Sequence, residues 1–469
     1  MPNDITRRYF LKQSSCAAIG TTTLMSTLAN LKFMNAASIS NSATIAAGDY
    51  KALVCILLSG GNDSFNMLVP MESGEYGHYE SARTAVAIPR DSLHQLNGTN
   101  YGVHPSMAGV QELFNQNHLS FISNIGTLIS PVSKPQALTN ESLLPLGLFS
   151  HSDQVQQWQT SVPHDRSSIG WGGKIADLMQ SVNANPDISM NISLGGSNIF
   201  QTGNMAVEYA IDRDEGAVGI INYENPSNSQ FMQLRDRAID NIVDSNYNDI
   251  FQKTYIDVIK KSRDANKIVS ESLSQSPFLD DIFSNNDFSS ALQMVARMIA
   301  VKDQLGAKRQ IFFVEAGGFD NHDELLDTQA YLLEMISNGL KEFNDALIRI
   351  GAHDCVTTFT SSEFGRTLTF NGEGTDHAWG GNVMVMGGPV QGGNIFGEYP
   401  LLELGGELEL SENANFSNGI MIPTTSVDEY FAELALWYGV QPSELSTIFP
   451  NIGNFYNTGS GSSPIGFLK

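Results

Sequence analysis

Cysteine is scarce in this chain, three in 469 residues. With Cys16 inside an N-terminal leader, only Cys55 and Cys355 remain, and a disulfide framework of the kind that staples small secreted domains is excluded. Both sit in apolar, β-branched runs that read as buried strands. That leaves two inert thiols, or one bridge joining the strands. Positive charge is scarce too: Lys plus Arg number 26 against 50 Asp plus Glu, a formal net charge of −24. A sequence-independent grip on a nucleic-acid backbone is therefore excluded as the activity. Charged residues make up only 16% of the chain, with no long run of one sign. The most apolar N-terminal stretch, residues 14 to 31, carries too much Ser and Thr for a permanent membrane span. No internal repeat or low-complexity tract is present.

What is there is enough apolar material for a sizeable core. Hydrophobic residues make up 41% of the chain, far from the signature of disorder. At the N-terminus, Thr6-Arg7-Arg8-Tyr9-Phe10-Leu11-Lys12 precedes the Ser/Thr/Ala-rich apolar stretch, and small residues follow around Asn35-Ala36-Ala37. That order marks a leader over 1–37, and the paired arginines indicate twin-arginine export, which carries folded cargo. A cytosolic chain with a basic first helix is the plainer alternative. A linker over 38–48 leads into a single domain spanning 49–469.

Residues 52 to 59 (ALVCILLS) form a short, almost wholly apolar run, as expected for a strand covered on both faces. Further strands are expected at 119–125, 310–315, 355–360 and 382–386. Helices are expected from Pro105 to Phe114, over 324–350 and over 427–438. Alternating strands and helices predict an α/β fold, a mostly parallel sheet sandwiched by helices. The Asn, Asp, Ser and Gln-rich text of about 205–290 reads as a helical insertion.

Three strand ends gather the acidic and imidazole groups used sparingly elsewhere: Gly60-Gly61-Asn62-Asp63, Gly317-Gly318-Phe319-Asp320-Asn321-His322 and Gly374-Thr375-Asp376-His377. The carboxyl ends of strands in an open α/β sheet line one crevice, so Asp63, Asp320, His322, Asp376 and His377 are expected to converge there. Mixed carboxylate and imidazole donors suit divalent ions, with Zn, Mn or Ca compatible. Ser150-His151-Ser152-Asp153 offers two more candidate ligands, His151 and Asp153. In Ser362-Glu363-Phe364-Gly365-Arg366, Glu363 and Arg366 either pair to stabilise a turn, or Arg366 faces an anionic substrate. Ser64, beside Asp63, is the candidate nucleophile. The candidate catalytic residues are thus Ser64, Glu363 and Arg366.

These segments resemble the bacterial family called domain of unknown function 1501. Its members carry a twin-arginine leader, a strand ending in Gly-Gly-x-Asp, then Ser-His-x-Asp, Gly-Gly-x-Asp-x-His, Ser-Glu-Phe-Gly-Arg and Gly-Thr-Asp-His-Gly. The likeness runs from the leader to Phe449-Pro450. That family is similar to the alkaline phosphatase and sulfatase superfamily, and the resemblance implies metal ligands at Asp63, at Asp320 with His322, and at Asp376 with His377. Here the Asp320 to His322 spacing is shorter, no later histidine follows His377, the nucleophile has no secure counterpart, and Ala378 replaces a glycine. The expectation is an exported, metal-dependent hydrolase acting on a small phosphate or sulfate ester. The alternative is a non-catalytic protein that keeps the fold to bind or assemble a cell-envelope component.

Overall fold

Residues Lys51–Leu58 (β1) are buried along almost their whole length because helices cover both sides of the sheet they centre. Ala52, Val54, Ile56 and Leu58 point into one core cluster, and Leu53, Cys55 and Leu57 into the other. The two-residue period of a strand thus feeds two hydrophobic layers from one apolar run. In this computed structural model, residues 49–217, 229–411 and 418–469 are described. The leader and linker expected over 1–48 lie outside the described residues, as does 218–228 of the expected insertion.

The remaining strands of the main sheet are Leu119–Gly126 (β2), Asn191–Ser193 (β3), Tyr209–Ala210 (β4), Arg309–Ala316 (β5), Val356–Ser361 (β6), Gly381–Met386 (β7), Ile395–Phe396 (β8) and Thr425–Ser426 (β9). Their order is β8-β2-β7-β6-β1-β5-β3-β4, with β9 also pairing β2. Every pairing is parallel except those of β7, which runs antiparallel to both β2 and β6. The sheet is mixed and mostly parallel, flanked by helices, as the sequence pattern predicts. Strand β7 is reversed because no crossover helix separates it from β6. The chain leaves β6 at Ser361, makes an irregular excursion over the end of the sheet and returns.

On one face, the helix Leu325–Arg349 buries Leu332, Leu333, Ile336, Leu340, Phe343 and Leu347. Beside it packs Asp287–Ala300, whose Leu292, Val295 and Ile299 belong to the same cluster. On the other face lies Val427–Tyr438, opened by a reciprocal cap in which Ser426 and Glu429 satisfy each other's backbone N–H groups. Helices Gln230–Val243 and Ile250–Leu273 occupy the polar region.

The helix expected from Pro105 begins only at Ala108. Cys355 differs from its expected place as well: it closes a turn just before β6 and is half-buried, while Cys55 is buried within β1. Both thiols are free. Burial pushes the Cys55 thiol up to about 12, against a small opposing effect of its contact with the Ser361 hydroxyl, which makes it inert.

A histidine and aspartate centre at the sheet's carboxyl edge

Strands β5, β1 and β6 are neighbours, and the loops leaving their carboxyl ends meet. Gly60, immediately after β1, has φ +120°, and a Cβ there would collide with the backbone N of Asp320. A glycine is needed for that close approach. The contact brings the loop after β5 against the loop after β1.

Asp320 is the hub. Its Oδ1 lies 3.1 Å from His322 Nε2 and 3.3 Å from His377 Nε2, and its Oδ2 lies 3.5 Å from His151 Nε2. His322 Nε2 and His377 Nε2 are themselves 3.0 Å apart. His151 opens the helix His151–Thr160, whose start is fixed by the Ser150 side chain accepting the Asp153 N–H.

Each ring is held through its other nitrogen. His151 Nδ1 lies 2.9 Å from Glu363 Oε1, an oxygen that also accepts the Gly60 N–H. His377 Nδ1 lies 2.8 Å from the carbonyl oxygen of Phe149. His322 Nδ1 lies 3.2 Å from Asp376 Oδ1, which also accepts from Asn371. All three partners are acceptors, an arrangement that suits an N–H at each Nδ1 and turns each Nε2 toward Asp320. The three Nε2 atoms turn toward the Asp320 carboxylate, and Arg366 reaches the same place, with Nη1 3.5 Å from His322 Nε2 and Nη2 on Asp320 Oδ1. His151 Nε2 is buried and has no hydrogen-bond partner.

Arg366 is fully buried and donates to the carbonyls of Gly61, Gly60, Thr375 and Phe319 and to Asp320 Oδ1. Burial alone would raise the Asp320 carboxyl, but the hydrogen bond and charge of Arg366, helped by His151 and His322, hold it below the usual carboxylate range. His377 is lowered, chiefly by burial, with its bond to Phe149 opposing. The side chains of His151, His322 and Asp320 remain 36%, 43% and 48% exposed, so the centre opens to solvent on one side.

Of the residues expected to converge, Asp320, His322 and His377 meet, joined by the candidate ligand His151, with Asp376 outside His322 and Glu363 behind His151. Asp63 lies elsewhere. Its carboxylate is buried and ion-paired with Arg83, at the end of the helix Ser73–Arg83, and Thr375 Oγ1 approaches it at 3.4 Å. Sequence reading missed Arg83, which was legible only as a basic residue late in an unassigned helix. Asp153 turns from the centre and pairs with Arg166 at 2.8 Å. Ser64 is buried, and its Oγ accepts the Asn382 N–H at 2.7 Å. Neither alternative for Glu363 and Arg366 describes their arrangement: Glu363 holds His151, and Arg366 holds Asp320, with its Nη1 also 3.5 Å from His322 Nε2.

His151, Asp320 and His377 form a set able to hold a metal ion, and His322 extends it. Two ligands of a tetrahedral ion bound at about 2.1 Å lie about 3.4 Å apart, and the separations around Asp320 cluster at that value. The fold and centre define an α/β protein with a cluster of imidazoles and a carboxylate at the carboxyl edge of its sheet, in which His151, Asp320 and His377 could hold a metal ion. The chain belongs to the family described as protein of unknown function (DUF1501), whose model matches residues 50–448.

No curated protein matches the chain. Among solved structures it is similar to Ps i-CgsB in complex with k-i-k-neocarrahexaose, at 12% identity over 87% of this chain and 77% of that one, TM-score 0.33. It is also similar to the PsFucS1 sulfatase from Pseudoalteromonas sp., at 10% identity over 87% and 71%, TM-score 0.33. A mutant of the alkaline phosphatase PafA is similar at 12% identity over 69% and 64%, TM-score 0.27.

Proposed function

We propose that the chain is an exported, metal-dependent hydrolase of small phosphate or sulfate esters, with His151, Asp320, His322 and His377 as metal ligands. One observation carries the metal: His322 Nε2 and His377 Nε2 face each other at 3.0 Å, with Nδ1 of each directed at an acceptor. A divalent ion taken up by both ring nitrogens and the Asp320 carboxylate would account for that close approach. A nitrogen-rich donor set favours Zn or Mn over Ca, which takes oxygen ligands.

A divalent ion here would supply Lewis-acid polarisation of an ester oxygen. The protein's own residues do the rest. Glu363, the Phe149 carbonyl and Asp376 fix the tautomer and direction of the three rings, as outer partners of metal-binding histidines do. Arg366 keeps Asp320 ionised and aimed. The exposed rim beside His322 and Asp376 admits the ester and a water molecule. Water is the nucleophile in this reading, because the Ser64 hydroxyl is engaged by Asn382. The leader read at Arg7 and Arg8 supports an activity outside the cytoplasm.

A second reading has its own support. The guanidinium of Arg366 already neutralises Asp320, so the cluster would also stand as a non-catalytic fixture of an envelope binding or assembly protein. Metal analysis of protein purified without chelator, followed by a panel of aryl phosphate and sulfate esters, separates the two. About one equivalent of Zn or Mn and turnover abolished by His377→Ala support the hydrolase. Folded protein with neither metal nor turnover leaves the binding module.

A further inference from the structure

A cleft of about 450 Å³ lies on the sheet face beneath the helix His151–Thr160. Leu57 and Ser59 from the end of β1 and Phe313 and Glu315 from the end of β5 form its floor, and Leu57 and Glu315 are register partners. Its wall carries Val155 and Gln159. Residues four apart share a face of a helix, so His151, Val155 and Gln159 form one stripe. At 1.5 Å per residue the cleft begins roughly 6 Å along that stripe from His151. The helix thus carries His151 at one end of the stripe and the wall of the cleft further along it.

The chemistry of the cleft differs from that of the centre. Gln159 Oε1 is engaged by the N–H groups of Ile199 and Phe200, at 3.0 and 3.1 Å. That pins the outer loop of the cleft and turns the Gln159 amide nitrogen to the space. Among the described residues, neither Nε2 of Gln159 nor the hydroxyls of Ser59 and Ser197 nor the Glu315 carboxylate has a hydrogen-bond or ion-pair partner in the protein. Glu315 is exposed at the end of a strand whose preceding six residues are buried. Free hydroxyl and amide groups around one unpaired carboxylate, over an apolar floor, match a ligand with several hydroxyls and no negative charge of its own.

Resting on the hydrolase reading, we propose that this cleft binds the leaving-group portion of the ester, and that this portion is a neutral sugar whose hydroxyls donate to Glu315. The ester's anionic group goes to the histidine centre. The carboxylate in the cleft repels a second anionic group, so a sugar acid is refused.

The test needs no turnover. Methyl α-glucoside, methyl α-galactoside and methyl α-mannoside are titrated into the full chain, with and without added zinc, and followed by saturation-transfer NMR, with methyl glucuronide as the charged counterpart. At least one neutral glycoside is expected to bind at concentrations on the order of 10 mM or below, and Glu315→Ala is expected to weaken it roughly 10-fold. Ser197→Ala, a milder exposed change, is expected to weaken the same glycoside by a smaller factor. Absence of binding by every neutral glycoside, unchanged affinity in Glu315→Ala, or equal binding of the glucuronide overturns the proposal. The two readings fail separately. Glycoside binding lost in Glu315→Ala without metal retention upholds the cleft and removes the hydrolase, whereas metal retention without glycoside binding removes the cleft alone.

Discussion

His151 and Glu363 stand 212 positions apart in the chain and meet at 2.9 Å, Nδ1 to Oε1. Glu363 is 1% exposed, while His151 reaches the solvent-facing centre. The pair therefore connects the buried frame of the sheet to its open edge, with the Gly60 N–H holding the same carboxylate oxygen.

Glu363→Gln keeps the shape but offers an amide where the carboxylate stood. If Glu363 orients a metal ligand, zinc affinity measured by competition with a chelator falls about 10- to 100-fold. Folded structure by near-UV circular dichroism stays unchanged. Unaltered zinc affinity would count against the ligand assignment of His151.

Asp63 and Arg83 form a pair that is essentially unexposed on both sides. Arg83→Met strands a buried carboxylate, and unfolding in urea is expected to show a loss of about 3–5 kcal/mol. Asp63→Asn should destabilise in the same direction and leave the metal content of the folded fraction intact. A variant of Asp63 that folds fully and loses its metal would restore Asp63 as a ligand.

Ser64→Ala removes the acceptor of the Asn382 N–H without touching the rim. Turnover of the best aryl ester is expected to stay within about threefold of wild type, against a loss of roughly 10^4-fold or more for a true nucleophile. A loss of the larger size would show that Ser64 attacks.

Asp428 is wholly buried, and burial is the chief cause of a carboxyl raised to about 7, with the Ser161 hydrogen bond opposing. An acid whose native pKa exceeds its unfolded value near 3.8 binds more protons when folded, so this group makes stability fall as pH rises between about 4 and 7. Asp428→Asn should flatten that part of the stability curve. A curve of unchanged slope across this window, measured by urea titration at several pH values, would remove the assignment.

Replacing Arg7 and Arg8 by Lys is expected to leave the full-length precursor inside the cell, with the stability and metal content of the folded domain unchanged. Appearance of the processed variant in the periplasm at the wild-type level would show that another route reads the leader.

The sheet was legible because its long strands are uniform. Residues 52 to 59 and 310 to 315 are largely apolar runs between turn residues, whereas 119 to 125 mixes apolar residues with Ser120, Ser123 and Asn124; each becomes a strand buried along nearly its whole length. The two- and three-residue strands Asn191–Ser193 and Tyr209–Ala210 were not legible, being too short to show a period. Asp320, His322 and His377 could be brought together because they follow strand ends among glycines. The separation of Asp63 from them could not be read, because Arg83 claims it from a helix of low apolar content. Asp153 shows the same limit: its motif neighbour His151 faces the centre, while a first-turn position directs Asp153 to Arg166.

Arg366 binds the loops after β1 and β5 to its own excursion through five acceptors at Gly60, Gly61, Phe319, Asp320 and Thr375. Each of those acceptors except Thr375 lies 46 or more positions away. Contacts of such range form late when a chain folds. A fragment, a misfolded chain or a nascent chain lacking residue 377 has none of the centre in place. On the proposed reading, metal bound per chain would serve as a count of finished molecules, and a preparation that takes up half an equivalent would hold about half its chains in the native fold.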